Sequence, residues 1–383
     1  MTTVVPPANS ELVGVGSAPD NATFRAGMDK FLNYAKNLLG TAGTPAAARG
    51  VLGVKMTRRR NKWINGNIAI DVRNRGAAKT LTAGAAPVYT VDRIYASCTG
   101  ANATIQQTVN GSENRLLVTG GAGCTGIKIG TRIISENMGG FDFSTGLATL
   151  SALVSCATGT IISWAAYTPS GGGKNGFGTL ASPTRTLVAS GTYTYSNVNQ
   201  SESTLMAQLA LVASPPSFSN FGIEPRNLLP GINIELSVGT QINGTSISFG
   251  ELQLEPDYVI ANWAGFEDVP YEEQVRDCEF YKRRLSGADG ITSAAAGRQT
   301  STTATRIFAN FPEMRIVPTA TAVGTYIDYA GASTAATLTS QNLAKFGGIL
   351  DFSHALVGAA NNGVGLQIPS GAANYLDFDA ELN

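Results

Sequence analysis

From Trp63 to Ala264 the chain alternates. Apolar or β-branched residues take every second position in short runs: IAIDV, PVYTV, ATIQQTV, NRLLVTG, GIKIGTRIIS, ATLSALVS, GTIISWAAYT, RTLVASGTYTYSNV, LMAQLALV, INIELSVG and SISFGELQLE. A period of two marks a strand with one face buried. Asn110-Gly111 and Asn243-Gly244 fall between such runs, and Asn-Gly suits the positive φ of a tight turn. About eleven strands, with turn signals roughly every 10–15 residues and almost no helix, predict a β-sandwich or barrel of jelly-roll size.

Helical spacing predicts elements on either side of this region. Asp20 or Asn21 can cap a helix running to Leu39, with Gly40 just past its end. In it Phe24, Met28, Phe31, Ala35 and Leu38 are spaced four, three, four and three, a heptad-like stripe only two heptads long. Such a stripe either packs on a neighbouring domain or self-associates, and two heptads alone are marginal in water. A second short helix is expected around Pro45–Leu52. Beyond the sandwich, Tyr271, Val275, Cys278, Tyr281 and Leu285 recur at helical spacing. Asp268 is the expected cap, Pro270 lies in the first turn, and acidic residues at the start and basic ones at the end suit the helix dipole.

After a Gly/Ser/Ala linker at 286–297 strand patterns return in ATRIFANF, RIVPTATAVG, TYIDYAG, FGGILDFSHALVG, VGLQIP and YLDFDAEL. The expected organisation is an N-terminal arm and helix (1–62), a jelly-roll β-sandwich ending in a short helix (63–285), and a smaller all-β domain (286–383). No fixed-period repeat is visible, which argues against a β-helix or other solenoid.

Composition narrows the chemistry. The 383 residues carry 27 Lys+Arg against 27 Asp+Glu, and only 14% are charged, so the surface is rich in hydroxyls and methyls. Zero net charge argues against a general nucleic-acid binder. A single histidine excludes His-rich metal sites and leaves only His354 for a Ser-His or Cys-His mechanism. Cys98, Cys124, Cys156 and Cys278 form no CxxC and read as reduced, buried small hydrophobes, with a disulfide among the first three left open. The opening residues lack a basic region followed by an apolar core, and no apolar run approaches ~20 residues, so neither a secretory signal nor a membrane span is expected.

The candidate catalytic motifs fail on spacing. Gly171-Gly172-Gly173-Lys174 is no phosphate loop, because Thr168 stands at the motif's first glycine and Asn175 follows the lysine. Glu251, Glu255, Glu267, Asp268, Glu272 and Glu273 could supply paired carboxylates, but strand exposure, a cap and a helix dipole account for most of them. There is no calcium-loop pattern. The basic run at Thr57–Lys62 stands alone in a neutral chain and reads as a solvated linker. No catalytic residue, cofactor or metal is expected. For sugar binding the aromatic candidates are Trp63, Trp164, Tyr167, Tyr193, Tyr195 and Trp263; Trp164, Tyr167, Tyr193 and Tyr195 stand as candidate ligand contacts, with burial in the core as their alternative. Tyr193 and Tyr195 alternate with threonine and so share one face of a strand.

Four ordered stretches carry a resemblance. NKWINGNIAIDVRNRG and VYTVDRIYAS (61–76, 88–97) are similar to the opening of β-rich tail-fibre modules of tailed bacteriophages. Residues 251–285 resemble the ending of those modules through Gln253, Leu254, Glu255, Phe266, Glu267, Pro270, Tyr271, Glu273, Cys278 and Tyr281. FANFPEMRIVPTATAVG and YLDFDAEL resemble the small β domain that often follows, and LLGTAGTPAAARGVLG (38–53) looks like pieces common in fibre attachment regions. Ile94 and Val269 depart from the family pattern, which usually has Trp at the first position and often Arg or a polar residue at the second.

The resemblance implies a structural virion protein in a tail fibre or related appendage, with a jelly roll like a carbohydrate-binding module. It further implies a homotrimer, with other tail or baseplate proteins and a host cell-surface glycan as partners. Under it the stripe from Phe24 to Leu38 becomes a trimerising or docking element. A head fibre or capsid-decorating protein and a ligand-free connector would use the same modules. A tailspike depolymerase would bring a long β-helix and clustered carboxylates.

Overall fold

A computed structural model describes residues 61–111, 113–138, 147–171, 175–197, 203–210, 231–256, 265–267, 269–286, 295–301, 303–323, 325–327, 333–335, 337–353, 363–366, 368 and 375–381. The expected N-terminal helix with Phe24, Met28, Phe31, Ala35 and Leu38, most of the basic run, Trp263, Asp268 and His354 lie outside these residues.

Twelve strands form two six-stranded antiparallel sheets. The first holds β1 (Lys79–Leu81), β4 (Ala103–Asn110), β5 (Glu113–Gly120), β12 (Ser246–Pro256), β7 (Leu147–Ser155) and β10 (Ser203–Ala210), in that spatial order. The second holds β2 (Val88–Tyr89), β3 (Tyr95–Thr99), β6 (Gly126–Ile133), β11 (Ile232–Val238), β8 (Ile161–Pro169) and β9 (Arg185–Thr194). Inward residues of both, among them Ile105, Val118, Leu150, Phe249 and Leu254 against Ile129, Ile162, Trp164, Ile234 and Leu236, make one continuous core. This is the jelly-roll β-sandwich that the alternating runs predict. Asn110-Gly111 closes the hairpin from β4 to β5, with Gly111 at φ 63° and Asn110 opposite Glu113. Asn243-Gly244 instead turns the chain from one sheet to the other, since β11 and β12 lie in different sheets.

Three expectations need correction. IAIDV (68–72) is not a strand: residues 61–78 run as successive turns, with Asn65 and Ile68 both at φ 58°. The Asn65 side chain organises them, donating to the carbonyls of Ile70 (2.8 Å) and Asp92 (2.9 Å) and accepting from the Ile70 amide (2.9 Å). Alternating burial of Ile68 and Ile70 thus comes from turns packed on the core, not from a pleat.

The helix α1 spans only Tyr271–Glu279, preceded by Pro270 without a side-chain cap. Lys282–Ser286 then form strand β13. Lys282 and Arg284 answer carboxylates on a neighbouring strand, while Arg283 lies 4.0 Å from Glu279 in the last turn of the helix. Because β13 pairs with β22 (Tyr375–Asp379), the expected break at 285/286 cuts through a strand of the second domain.

That domain has β14 (Ala295–Ser301), β15 (Ala304–Asn310), β16 (Thr319–Val323), β17 (Thr325–Ile327), β18 (Ser333–Ala335), β19 (Thr337–Ala344), β20 (Gly347–Ser353) and β21 (Gly363–Leu366). Strand β22 lies between β13 and β16, while β19, β20, β15, β14 and β21 make a five-stranded sheet and β17 pairs with β18. Ile307, Leu350, Phe352, Leu376 and Phe378 fill its core.

Candidate functional site

Strand β11 reads INIELSV, and its isoleucines, Leu236 and Val238 point into the sandwich. Asn233, Glu235 and Ser237 therefore lie on the outer face of the second sheet, because successive side chains alternate. Glu235 pairs with Gly130 on one side and Ala165 on the other, so it stands between two small neighbours. Gly130 has a further use. A Cβ there would sit 2.5 Å from the Tyr95 ring, so only glycine lets Tyr95 fold across the sheet. Tyr95 thereby donates to Glu235 Oε1 (2.9 Å) and accepts from Asn233 Nδ2 (2.6 Å). Burial holds the Tyr95 hydroxyl well above its ordinary pKa, so it stays a donor.

Arg185 reaches the same face through a β-bulge. The pairing of β8 with β9 steps from Ala166↔Ala189 to Tyr167↔Leu187, leaving Val188 as an extra residue. This changes the parity of the strand, and Arg185 and Leu187 turn outward where regular pairing would have presented Thr186 and Val188. Arg185 Nη1 donates to Glu235 Oε1 (2.7 Å) and Asn233 Oδ1 (2.5 Å), and its guanidinium carbon lies 3.9 Å from the Tyr167 ring centroid. Lys128 Nζ is 3.2 Å from Glu235 Oε2. Burial pushes the Glu235 carboxyl up, but the Arg185 hydrogen bond and the Lys128 and Arg185 charges outweigh it and hold the group below the usual carboxylate range. At the end of the face Arg132 donates to the carbonyls of Gly178 (2.7 Å) and Thr179 (2.9 Å), fastening the loop between β8 and β9 across the sheet.

The structure separates the four aromatic candidates. Tyr167 lies on this outer face. Trp164 is a core residue: its ring lies against its cross-strand partner Gly191, where a Cβ would come within 2.6 Å. Tyr193 and Tyr195 do share a face, but it is the inner one. Tyr195 is buried, and Tyr193 packs on the core with its hydroxyl 2.9 Å from Ser203. Trp63 is buried as well. Sequence reasoning missed Lys128, Arg185, Asn233 and Glu235. The available signal was Lys128, Gly130 and Arg132 alternating with isoleucines and Thr131 in GIKIGTRI, and Asn233 and Glu235 doing so in INIELSV.

A second polar cluster joins the two domains. Glu381 accepts from Arg93 and from Arg73 (2.9 Å), and the Arg93 guanidinium lies 3.5 Å from the Tyr281 ring centroid. Arg73 also faces Asp379 (3.2 Å) and Asp92 (3.7 Å). Lys282 and Arg284 hold Asp377 at 2.8 and 2.6 Å. Burial works against the charges of Arg73 and Arg93, but Glu381 together with the other neighbouring groups, Asp92 and Asp379 for Arg73 and Tyr281 and Tyr89 for Arg93, outweighs it and holds both above their ordinary range. These cations and carboxylates pair with one another across the two domains, so the cluster is a joint.

All four cysteines are buried free thiols. Among the described residues no three His, Cys, Asp or Glu side chains group as metal ligands, and no helix is long and apolar enough to cross a membrane. Glu235 is the one carboxylate on the strands of the outer face among those residues.

No family model matches the chain, and no curated protein matches it significantly. Three solved structures illustrate its likenesses. A CBM61 module in complex with β-1,4-galactotriose is 8% identical and covers 52% of this chain and 100% of its own, with a TM-score of 0.25. The family 11 carbohydrate-binding module of a Clostridium thermocellum cellulosomal cellulase is 13% identical over 47% of this chain and 95% of its own, at a TM-score of 0.27. The enzymatically active domain of bacteriophage CBA120 tailspike protein 4 is 11% identical over 51% of this chain and 21% of its own, at 0.28. At such scores these likenesses carry no argument about what the chain binds.

Proposed function

We propose that this chain is a non-catalytic glycan-binding structural protein of a bacteriophage virion, carried as a homotrimer on a tail fibre or related appendage. One observation carries the glycan part. On the outer face of the second sheet the partly exposed Tyr167, Arg185 and Lys128 are held on rigid strands by the buried Glu235, Asn233 and Tyr95. Polar groups preset beside a ring are what a hydroxyl-rich ligand needs, since each sugar hydroxyl requires a partner and each sugar face an apolar surface. The sequence resemblance supplies the virion part, and three weak sites per trimer would add through avidity.

The test is binding of the full-length protein to purified bacterial surface polysaccharides, with immunogold labelling of virions. Tyr167→Ala is expected to weaken saccharide binding roughly tenfold, about 1.4 kcal/mol, with the fold intact by circular dichroism. Gold on tail appendages is the expected label. Unchanged affinity in Tyr167→Ala would overturn the site, and gold over the head would make the protein a capsid fibre.

A further inference from the structure

We propose that this outer face takes an acidic saccharide, whose ring carboxylate is gripped by Arg185 and Lys128; the proposal rests on the glycan-binding reading above. Three observations support it. The first is charge. Among the described residues the face carries Lys128, Arg132 and Arg185 against Glu235 alone, in a chain whose net charge is zero. Arg132 is spent on loop carbonyls, and Glu235 is already matched by Arg185, Lys128 and the Tyr95 hydroxyl. Two positive charges are left over, one of them on Arg132, which is buried at the end of the face.

The second is donor geometry. Both hydrogen bonds made by Arg185 leave from Nη1, so Nε and Nη2, the edge that meets a carboxylate in bidentate fashion, carry no partner among the described residues. The Tyr167 ring centroid lies 3.9 Å from the Arg185 guanidinium carbon. Lys128 makes one ion pair and is 40% exposed, so its ammonium has donors to spare. The third is the setting. Flanking outer positions are Leu187, opposite Tyr167, and the small residues Ser97, Ser163, Ala165, Ser190, Thr192 and Ser237, none of which brings a second carboxylate to repel an anion.

The experiment pairs each acidic polymer with its own neutral form. Full-length protein is titrated with polygalacturonate and with hyaluronan, then with the same polymers after carboxyl reduction, with dextran sulfate and neutral bacterial polysaccharides alongside. Binding to the acidic form at least tenfold tighter than to the reduced form is expected. Arg185→Lys keeps the charge but loses the fork and is expected to cut acidic binding at least fivefold. Lys128→Gln, at a half-buried position, is expected to do the same with the fold intact by circular dichroism. Equal binding of acidic and reduced forms would overturn the acidic assignment and leave the glycan reading standing. Dextran sulfate bound as tightly as polygalacturonate would reduce the site to a general anion patch and overturn it too. Binding to none of the polymers would overturn both.

Discussion

Glu381 closes the joint between the domains, and its removal can be worked through. Its side chain is fully buried and receives Arg73 at 2.9 Å on one oxygen and Arg93 on the other. Glu381→Gln preserves size but removes the charge, leaving two buried guanidinium groups short of a counter-ion. Breaking a buried pair by deleting one partner costs about 3–5 kcal/mol, because the remaining charge keeps its desolvation penalty. The lower end applies here. Arg73 retains Asp379 at 3.2 Å and Asp92 at 3.7 Å, and Arg93 retains the Arg132 carbonyl and the Tyr281 ring. The expected loss is therefore about 3 kcal/mol. Denaturant titration followed by circular dichroism measures it, and hydrogen exchange of the β22 amides should locate it at the joint. A change below about 1 kcal/mol, with β22 protection unaltered, would refute the view that this carboxylate neutralises the joint.

Two further outcomes follow from the same region. Burial pushes the Asp92 carboxyl from 3.8 up to about 6, against the opposing charge of Arg73 and the Val72 amide. The folded protein thus holds this proton more tightly than the unfolded chain. Relative to Asp92→Asn, the wild type is expected to lose about 3 kcal/mol of stability as pH rises from below 4 through 6, and parallel stability–pH curves would contradict this. Asn65→Ala deletes three buried hydrogen bonds at a residue with φ 58°, a region Asn tolerates better than Ala, and is expected to cost about 2–4 kcal/mol by denaturant midpoint.

Much of the fold was legible in the sequence because it rests on local period. ATIQQTV and NRLLVTG flank Asn110-Gly111 and are a hairpin. RTLVASGTYTYSNV has strand periodicity and yields β9. The misreadings arise where tertiary pairing decides. IAIDV alternates as a strand would, yet Asn65 uses its amide to hold the backbone in turns. The basic residues after Glu279 fit a helix end equally well, and only Asp377 and Asp379, nearly a hundred positions later, draw them into a strand.

The candidate site was almost illegible. Its members run from Tyr95 to Glu235, and only strand register assembles them. The decisive residue, Arg185, faces outward because of one extra residue in β9, which alternation counted from the sequence does not register. Trp164 and Tyr167 differ by three positions and hence by one face of the sheet, so one is core and the other surface.

Strand β22 occupies the middle of its three-stranded sheet, between β13 and β16. It leaves the ribosome about 90 residues after β13, which at 5–20 residues per second is a delay of roughly 5–18 s. Throughout that interval β13, later joined by β16, lacks its central partner, and the cations Arg73, Arg93, Lys282 and Arg284 have no carboxylates from β22 or Glu381 to meet. Until then Arg73 has Asp92, and Arg93 has the Arg132 carbonyl and the Tyr281 ring, as partners. Translation thus orders assembly: the sandwich can complete its own sheets first, and the joint locks only when Asp377, Asp379 and Glu381 arrive together. A nascent chain stalled before Tyr375 would display a finished outer face before the joint has its carboxylates.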